Sequence, residues 1–449
     1  MGAFLRGITL PKHRLTPPLE LIEIAPPRTV TLPVIQHPGE PATPAVAVGD
    51  TVTSGQLIAA APTDRSVPVH SPFTGTVVEF TTTFSTRGQA VEALVIEGAY
   101  EAPKNTPLSD PASLSPAELA QAVREAGLLS PGLIPVPSAR DLLPPDQPSA
   151  HLSLSGRRVV KRIDTLLISA LDPEPSLVVN RYLAGIETEA LAVGIASLKA
   201  VSGADRVVIA IDNSLPAPKP LASMAAADET ETTTLVPLNG RRYPVGLALP
   251  LIKAALGREV PLPYGHPRDV GVALCPLETV IALGEVLLTG IPPLTTTLTV
   301  GGGALGKSGI VTLPLGTTIE DLVQGLGGFT RPPAKLIVGG PMTGFAHYEL
   351  SVPLGKDAGG LFALTEEETT VVGDYQECIN CGRCVAVCPV NLVPGMLSMY
   401  CAKDRFEEAA ARGLLSCIEC GCCDYVCPSR RPLVHLFRHA KHQLMEEGR

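Results

Sequence analysis

Tryptophan is missing from these 449 residues, and aromatic side chains make up only 4%. A large helical bundle is therefore not expected. The 45 prolines and 42 glycines point instead to many short strands and turns. An excess of positive charge is missing too. Thirty-five Lys and Arg against 44 Asp and Glu leave a net charge of −9. That argues against a nucleic-acid partner, because phosphate binding needs a concentrated basic surface. No apolar run reaches the ~18 residues of a membrane span. The nearest, Val270 to Leu294, is interrupted by Glu278, Glu285 and the pair Pro292–Pro293. The start, MGAFLRGITLPKHRL, has no long apolar stretch, so no secretory signal is expected. Gly2 lacks the context for myristoylation. The expectation is a cytoplasmic protein that reaches a membrane only through partners.

Lysine is absent between Lys12 and Lys104. This matters because residues 1–100 look like a barrel-sandwich domain. VAVGDTVTSGQLIA (Val46 to Ala59) and SPFTGTV (Ser71 to Val77) resemble the two halves of a lipoyl or biotinyl carrier, with glycines at the turns. A carrier needs a lysine at the hairpin tip, where this chain has PTDRSV, so a carrier role is excluded.

Residues 101–160 read as a Pro- and Ser-rich linker with one helix. In SPAELAQAVREAGL, Ser115 caps, Pro116 suits the first turn, Glu118 completes a capping box and Gly127 ends the helix. Residues 161–295 alternate apolar strands (DTLLISAL, RVVIAIDNS) with the helical EALAVGIASLKAVSG, a Rossmann-like core. Residues 296–365 read as a β-grasp module with a helix starting after Thr318 and ending at Gly327–Gly328. Residues 366–449 are richer in charge and helix formers. The whole is a multidomain α/β chain.

Of 11 cysteines, ten lie between 378 and 427. Eight form two phrases, CINCGRCVAVCP and CIECGCCDYVCP, each C-x2-C-x2-C-x3-C-P. Three thiolates at spacing three wrap one corner of a 4Fe–4S cluster, and the fourth, before a proline, reaches the other cluster. The expected sets are Cys378, Cys381, Cys384 and Cys427 for one cluster, and Cys417, Cys420, Cys423 and Cys388 for the second. Disulfides would spread along a secreted chain, and zinc sites favour two C-x2-C pairs. The connector PGMLSMYCAKDRFEEAAARGLL is expected to be helical, giving an α-helical dicluster domain. Cys401 and Cys422 are spare, and Cys275 reads as core.

Two other patterns are weaker. GGGALGKS (Gly301 to Ser308) fits a P-loop, but the following GIVTLPLG reads as a strand rather than a helix, leaving Lys307 in a solvated loop. His435, His439 and His442 share a helix face with metal-ligand spacing. The plainer reading is a basic helix end, with Arg430, Arg431, Arg438 and Lys441 nearby, packed beside the cluster domain and suited to docking an acidic partner.

The order of parts, with RGITLPKH, VIQHPGEPATPAVAVGD, PVHSPFTGTV, IAIDNS, GREVP, IVGGPMTG and both cysteine phrases, resembles the C-subunit family of Rnf electron-transport complexes. The β-grasp module is then of the SLBB type, and the core is similar to the NADH-oxidising flavoprotein subunit of respiratory complex I. The resemblance implies FMN, NADH and two clusters passing electrons towards ferredoxin in a membrane complex that moves ions. Its cofactor-facing phrases are altered here. The Gly-rich loop reads GLLSPGLIPVPSA, where Pro131, Pro135 and Pro137 remove amide donors. The phrase SALDPEP keeps Glu174 and Pro175 but has Pro173 in place of Cys. In YPVGLAL, Tyr243, Pro244 and Gly246 remain while Ala248 and Leu249 replace a charged pair. PLET puts Pro276 and Glu278 where Asn-Val-Gly-Thr would be, and a carboxylate there repels phosphate. The expectation is an iron–sulfur relay between a soluble donor or partner subunit and a membrane-associated complex, peripheral on the cytoplasmic face of the inner membrane. Its partners would be other subunits and ferredoxin or another carrier, and it would do no bond chemistry of its own. The alternative is an FMN-dependent NADH:ferredoxin oxidoreductase subunit.

Overall fold

The computed structural model describes residues 6–446 apart from 11–14, 38, 64, 106–109, 131–135, 138–160, 187–188, 229–231 and 370–375. Pro131 and Pro135 lie outside the described residues, as does the side chain of Pro137.

The barrel-sandwich module is built on three antiparallel strands, β1 (Thr29–Pro33), β2 (Phe73–Phe84) and β3 (Ala90–Tyr100), with β3 between the other two. Val30, Leu32, Phe73, Val77, Leu94 and Ile96 point inward to one core, as strand alternation requires. In the segment where a carrier would hold its lysine, Arg65 pairs with Glu40 at 3.7 Å. The β2–β3 hairpin is long enough to leave its own barrel. Its tip reaches the β-grasp module, where Thr86 Oγ1 donates to Asp357 at 2.6 Å and His347 Nε2 meets the Thr86 carbonyl at 2.9 Å.

Helix α1 (Pro116–Ala126) has the expected capping box between Ser115 and Glu118, and Gly127 ends it in the left-handed region. The Rossmann-like module follows: β4 (Thr165–Ser169), α2 (Val179–Ala184), α3 (Glu189–Ser202), β5 (Arg206–Asp212), β6 (Thr233–Leu238), β7 (Val272–Pro276) and α4 (Leu277–Thr289). The sheet is parallel, in the order β6–β5–β4–β7. Every residue of β4 and β7 is buried, as expected of strands covered on both faces. Cys275 lies in β7 and belongs to this core. The switch in strand order falls between β4 and β7, so a crevice opens outside their carboxyl ends.

The β-grasp module has five strands in the order β9–β8–β12–β10–β11: β8 (Thr295–Gly301), β9 (Gly309–Pro314), β10 (Lys335–Val338), β11 (Phe345–His347) and β12 (Gly360–Leu364), with α5 (Ile319–Gly325) packed on them. The segment after GGGALGKS is β9, not a helix, and Lys307 is exposed, so no P-loop forms.

The last module is helical: α6 (Arg383–Val387), α7 (Pro394–Cys401), α8 (Phe406–Ala411), α9 (Cys422–Tyr425) and α10 (Leu433–Glu446). The connector between the cysteine phrases is two helices rather than one. It breaks at 402–405, where Asp404 turns left-handed (φ 53°). The break lets α7 and α8 both pack on α10, around Leu397, Ala409, Leu414 and Phe437. Cys401 is buried in that core.

Candidate metal centres

Both cysteine phrases fold alike, position for position. After each first cysteine and an isoleucine comes a left-handed residue, Asn380 (φ 55°) or Glu419 (φ 54°), then the second cysteine. Gly382 (φ 73°) and Gly421 (φ 75°) open the short helices α6 and α9, which carry the third. A further matched pair, Asn391 (φ 58°) and Arg430 (φ 50°), follows each fourth cysteine. Left-handed backbone costs a non-glycine residue roughly 1 kcal/mol or more. Four such residues in matched places therefore mark a shape imposed by what the sulfurs surround.

The two phrases cross. Cys378, Cys381 and Cys384 line one cavity together with Cys427 from the second phrase. Gly395, at the start of α7, lies against it, since a Cβ there would stand 3.6 Å from Cys384 Sγ and 3.7 Å from Cys378 Sγ. Cys381 and Ile379 are exposed, so this cage opens to solvent. Arg431 lines this cage, Arg383 adjoins Cys384 in the chain and Arg430 follows Cys427 by three residues, the last two exposed.

The other group, Cys388, Cys417, Cys420 and Cys423, is enclosed, with Cys388 6%, Cys420 7% and Cys423 7% exposed. Its groups act on one another: burial and the Asp424 carboxyl, then Cys417, Cys420 and Cys388, all push the Cys423 thiol up. Burial pushes the Cys417 thiol up to about 12, and burial also raises Cys388 and Cys423. The Cys388, Cys417 and Cys423 thiolates are disfavoured unless a cation joins them, which is what iron supplies, whereas the Cys422 thiol holds Cys420 down. Backbone amides already point at the sulfurs, Leu392 N to Cys388 Sγ at 3.3 Å and Glu419 N to Cys417 Sγ at 3.4 Å. Such donors favour an anionic cluster. Among the described residues no three His, Cys, Asp or Glu side chains are arranged to hold a single ion. Cys422, the spare cysteine of the second phrase, is fully buried, and its thiol lowers the neighbouring Cys420.

What encloses this cage comes from three modules. Tyr243, fully buried, donates its hydroxyl to the Cys420 carbonyl at 2.5 Å. Ile8, Leu10, Tyr243, Leu247, Ile418, Cys420 and Cys422 form one apolar cluster. Glu174 of SALDPEP, 1% exposed, accepts from the amides of Met342 and Thr343, each at 2.8 Å, and from the Thr343 hydroxyl. That approach explains Gly340, where a Cβ would lie 2.2 Å from the Glu174 carboxyl carbon. The same loop offers its Thr343 and Gly344 carbonyls to Arg438 of α10 at 2.6 and 3.3 Å. Arg438 and Lys441 also hold Glu419, at 3.0 and 2.7 Å. Burial pushes the Glu419 carboxyl up, but these two cations outweigh it and hold the group below its ordinary range.

This corrects the expectation for α10. Its histidines 435, 439 and 442 do face solvent, but Arg438 and Lys441 are turned inward and are not a free docking surface. Sequence reading also missed Glu419 and Tyr243 as neighbours of the cage. The one available signal was Glu419 standing where the first phrase has asparagine.

A helical domain with paired cysteine cages, set against Rossmann-like, barrel-sandwich and β-grasp modules, defines an iron–sulfur electron-transfer subunit of a larger oxidoreductase. Family models match in the same order: the RnfC barrel-sandwich hybrid domain over 2–101, the Nuo51 FMN-binding domain over 149–285, the SLBB domain over 297–346 and a 4Fe–4S dicluster domain over 370–428. The chain is 34% identical to the C subunit of a proton-translocating ferredoxin:NAD(+) oxidoreductase complex of Clostridium ljungdahlii, over 95% of this chain and 91% of that one. It is 30% identical to the C subunit of the Na(+)-translocating counterpart of Acetobacterium woodii, over 94% and 92%. It is 33% identical to the C subunit of an ion-translocating oxidoreductase complex of Rhodobacter capsulatus, over 97% and 81%. This chain belongs to the C-subunit family of Rnf-type ion-translocating oxidoreductase complexes.

The Nuo51-type module implies FMN, and its crevice can be tested for fit. Glu278 stands in the first turn of α4, where free helix amides would receive a phosphate. Glu278 is exposed, and the protein packed around it pushes its carboxyl up to about 7. Asp172 also rises to about 7. Burial drives that shift and Glu278 adds to it, against Arg181 and the amides of Asn180 and Arg181. Asp172 Oδ2 is buried without a hydrogen-bond partner. Asp172 feels the Glu278 charge, and a phosphate beside these two carboxyl groups would meet like charge. A cavity of about 260 Å³ beyond the carboxyl ends of β4 and β5 is lined by Asp172, Glu174, Arg181 and Asp212 among apolar residues.

Proposed function

We propose that Cys378, Cys381, Cys384 and Cys427 hold one 4Fe–4S cluster, that Cys388, Cys417, Cys420 and Cys423 hold a second, and that the chain relays single electrons without a flavin of its own. The observation that carries this reading is the crossing of the phrases, with Cys427 lining the first cage and Cys388 grouped with the second. The reading without flavin rests on the Glu278 carboxyl in the first turn of α4 and the buried Asp172 carboxyl. Bound clusters supply one-electron chemistry. The chain's own residues donate amides to the sulfurs, exclude water from one cage and leave the other open.

The buried cage adjoins the Rossmann-like and β-grasp modules and is the inner terminal of the relay. The exposed cage is the outer one, and its arginine rim suits an acidic carrier, of which ferredoxin is the type. No helix of the described residues is long and apolar enough to cross a membrane. We place the chain on the cytoplasmic face of the inner membrane through the other subunits of its complex.

Anaerobic reconstitution tests this reading. Iron and sulfide for two cubane clusters are expected, with reduction by dithionite but no bleaching by NADH and no FMN on extraction. Stoichiometric FMN with bleaching by NADH alone would establish the flavin-dependent alternative instead. Zinc in place of iron would remove the relay altogether.

A further inference from the structure

Two cages built from one phrase share their cysteine spacing and left-handed turns, yet only one has a charged triad built onto it. Glu419 occupies the left-handed position between Cys417 and Cys420, and its carboxylate takes Arg438 Nε at 3.0 Å and Lys441 Nζ at 2.7 Å. Lys441 Nζ also donates to the Cys417 carbonyl at 2.7 Å. Arg438 is fixed from its far side by the Thr343 and Gly344 carbonyls. On the other cage the matched residue is Asn380, exposed, whose side chain only faces the Cys378 thiol at 3.7 Å.

We propose, resting on the reading that both cages hold clusters, that Glu419, Arg438 and Lys441 are positioning residues that set the reduction potential of the buried cage apart from that of the exposed one. Each reduction adds one electron and no proton, and lowers the charge inside the cage by one. An enclosed site penalises that added charge, and charges beside it act with little screening. The triad itself adds one net positive charge to the cage wall, which partly offsets that penalty against the Asp424 carboxyl, 3.7 Å from Cys423 Sγ. At the exposed cage, water and salt do the same work and damp the effect of any one side chain. Net charge, hydrogen bonding and exposure are the levers that move such potentials, and the triad uses the first on one cage alone.

An EPR-monitored redox titration of the full chain, reconstituted anaerobically, tests this. Glu419→Gln leaves both cations unopposed and raises the buried-cage potential. Lys441→Gln leaves the carboxylate facing one cation and lowers it. Each shift is expected to be about tenfold in the one-electron equilibrium, or about 59 mV. The exposed-cage signal stays in place, and Lys441→Arg keeps the wild-type value. Shifts of the same sign in the two variants, equal movement of both signals, or changes under about threefold would overturn the proposal. Should Glu419→Gln fail to fold, the Lys441 pair applies the same rule of sign. Wild-type protein without two reducible clusters would overturn the underlying reading, and the triad with it.

Discussion

The two cages are close to a controlled comparison. They share a sequence phrase, a backbone path and crossed fourth cysteines, but one lies open beside arginines and the other is sealed by three modules. Ligand spacing alone therefore sets the type of site, and the surroundings set what each site does. The open cage has the access that exchange with a partner requires. The sealed one has what a fixed relay point requires: little water, amides on its sulfurs, and neighbours held by Tyr243 and Glu174.

The sharpest way to break this comparison is to remove one fourth ligand at a time. Cys388→Ser is expected to abolish the buried-cage EPR signal and spare the other, while Cys427→Ser does the reverse. Loss of the cluster nearest in sequence to each change would refute the crossed assignment. Next in size is Glu174→Ala. It leaves the Met342 and Thr343 amides without their buried acceptor, and should destabilise by about 3 kcal/mol, read as a fall in denaturation midpoint with the clusters in place. Tyr243→Phe removes a single hydrogen bond to the Cys420 carbonyl. It should cost about 1 kcal/mol and leave the exposed-cage signal untouched; an equal change at both cages would show that the modules act as one.

The smallest effect expected is in pH. Asp172 and Glu278 have carboxyls raised to about 7 in the folded chain, above the ordinary values near ~4. The folded state therefore binds more protons than the unfolded state between those limits. The stability they contribute is fully present below ~4 and is lost as pH rises through about 7. A melting temperature that falls over this window, and falls less in Asp172→Asn, is expected from calorimetry.

Much of the architecture was legible because its signals are local. The capping box at Ser115 and Glu118, the apolar-centred β4 and the apolar β7, and the strand after GGGALGKS each follow from a few adjacent residues. The connector was legible as helical but not as broken, because the turn at Asp404 serves the packing of α7 and α8 on α10. Arg438 and Lys441 were read as a basic surface because helical periodicity cannot say which charge finds a partner far away in the chain.

The sequence by itself determined that iron and sulfur chemistry sits near the end of this chain, since cysteine spacing fixes the reach of each thiol. It also showed prolines and a glutamate in the cofactor-facing phrases of the Rossmann-like module, since proline removes a donor and glutamate brings a charge wherever they stand. Only the tertiary structure decided which cage is sealed, which charges face it and how the modules are fastened together. Those outcomes depend on burial and on contacts between residues far apart in the chain, such as Tyr243 with Cys420 and Glu174 with Thr343, and no local pattern encodes them.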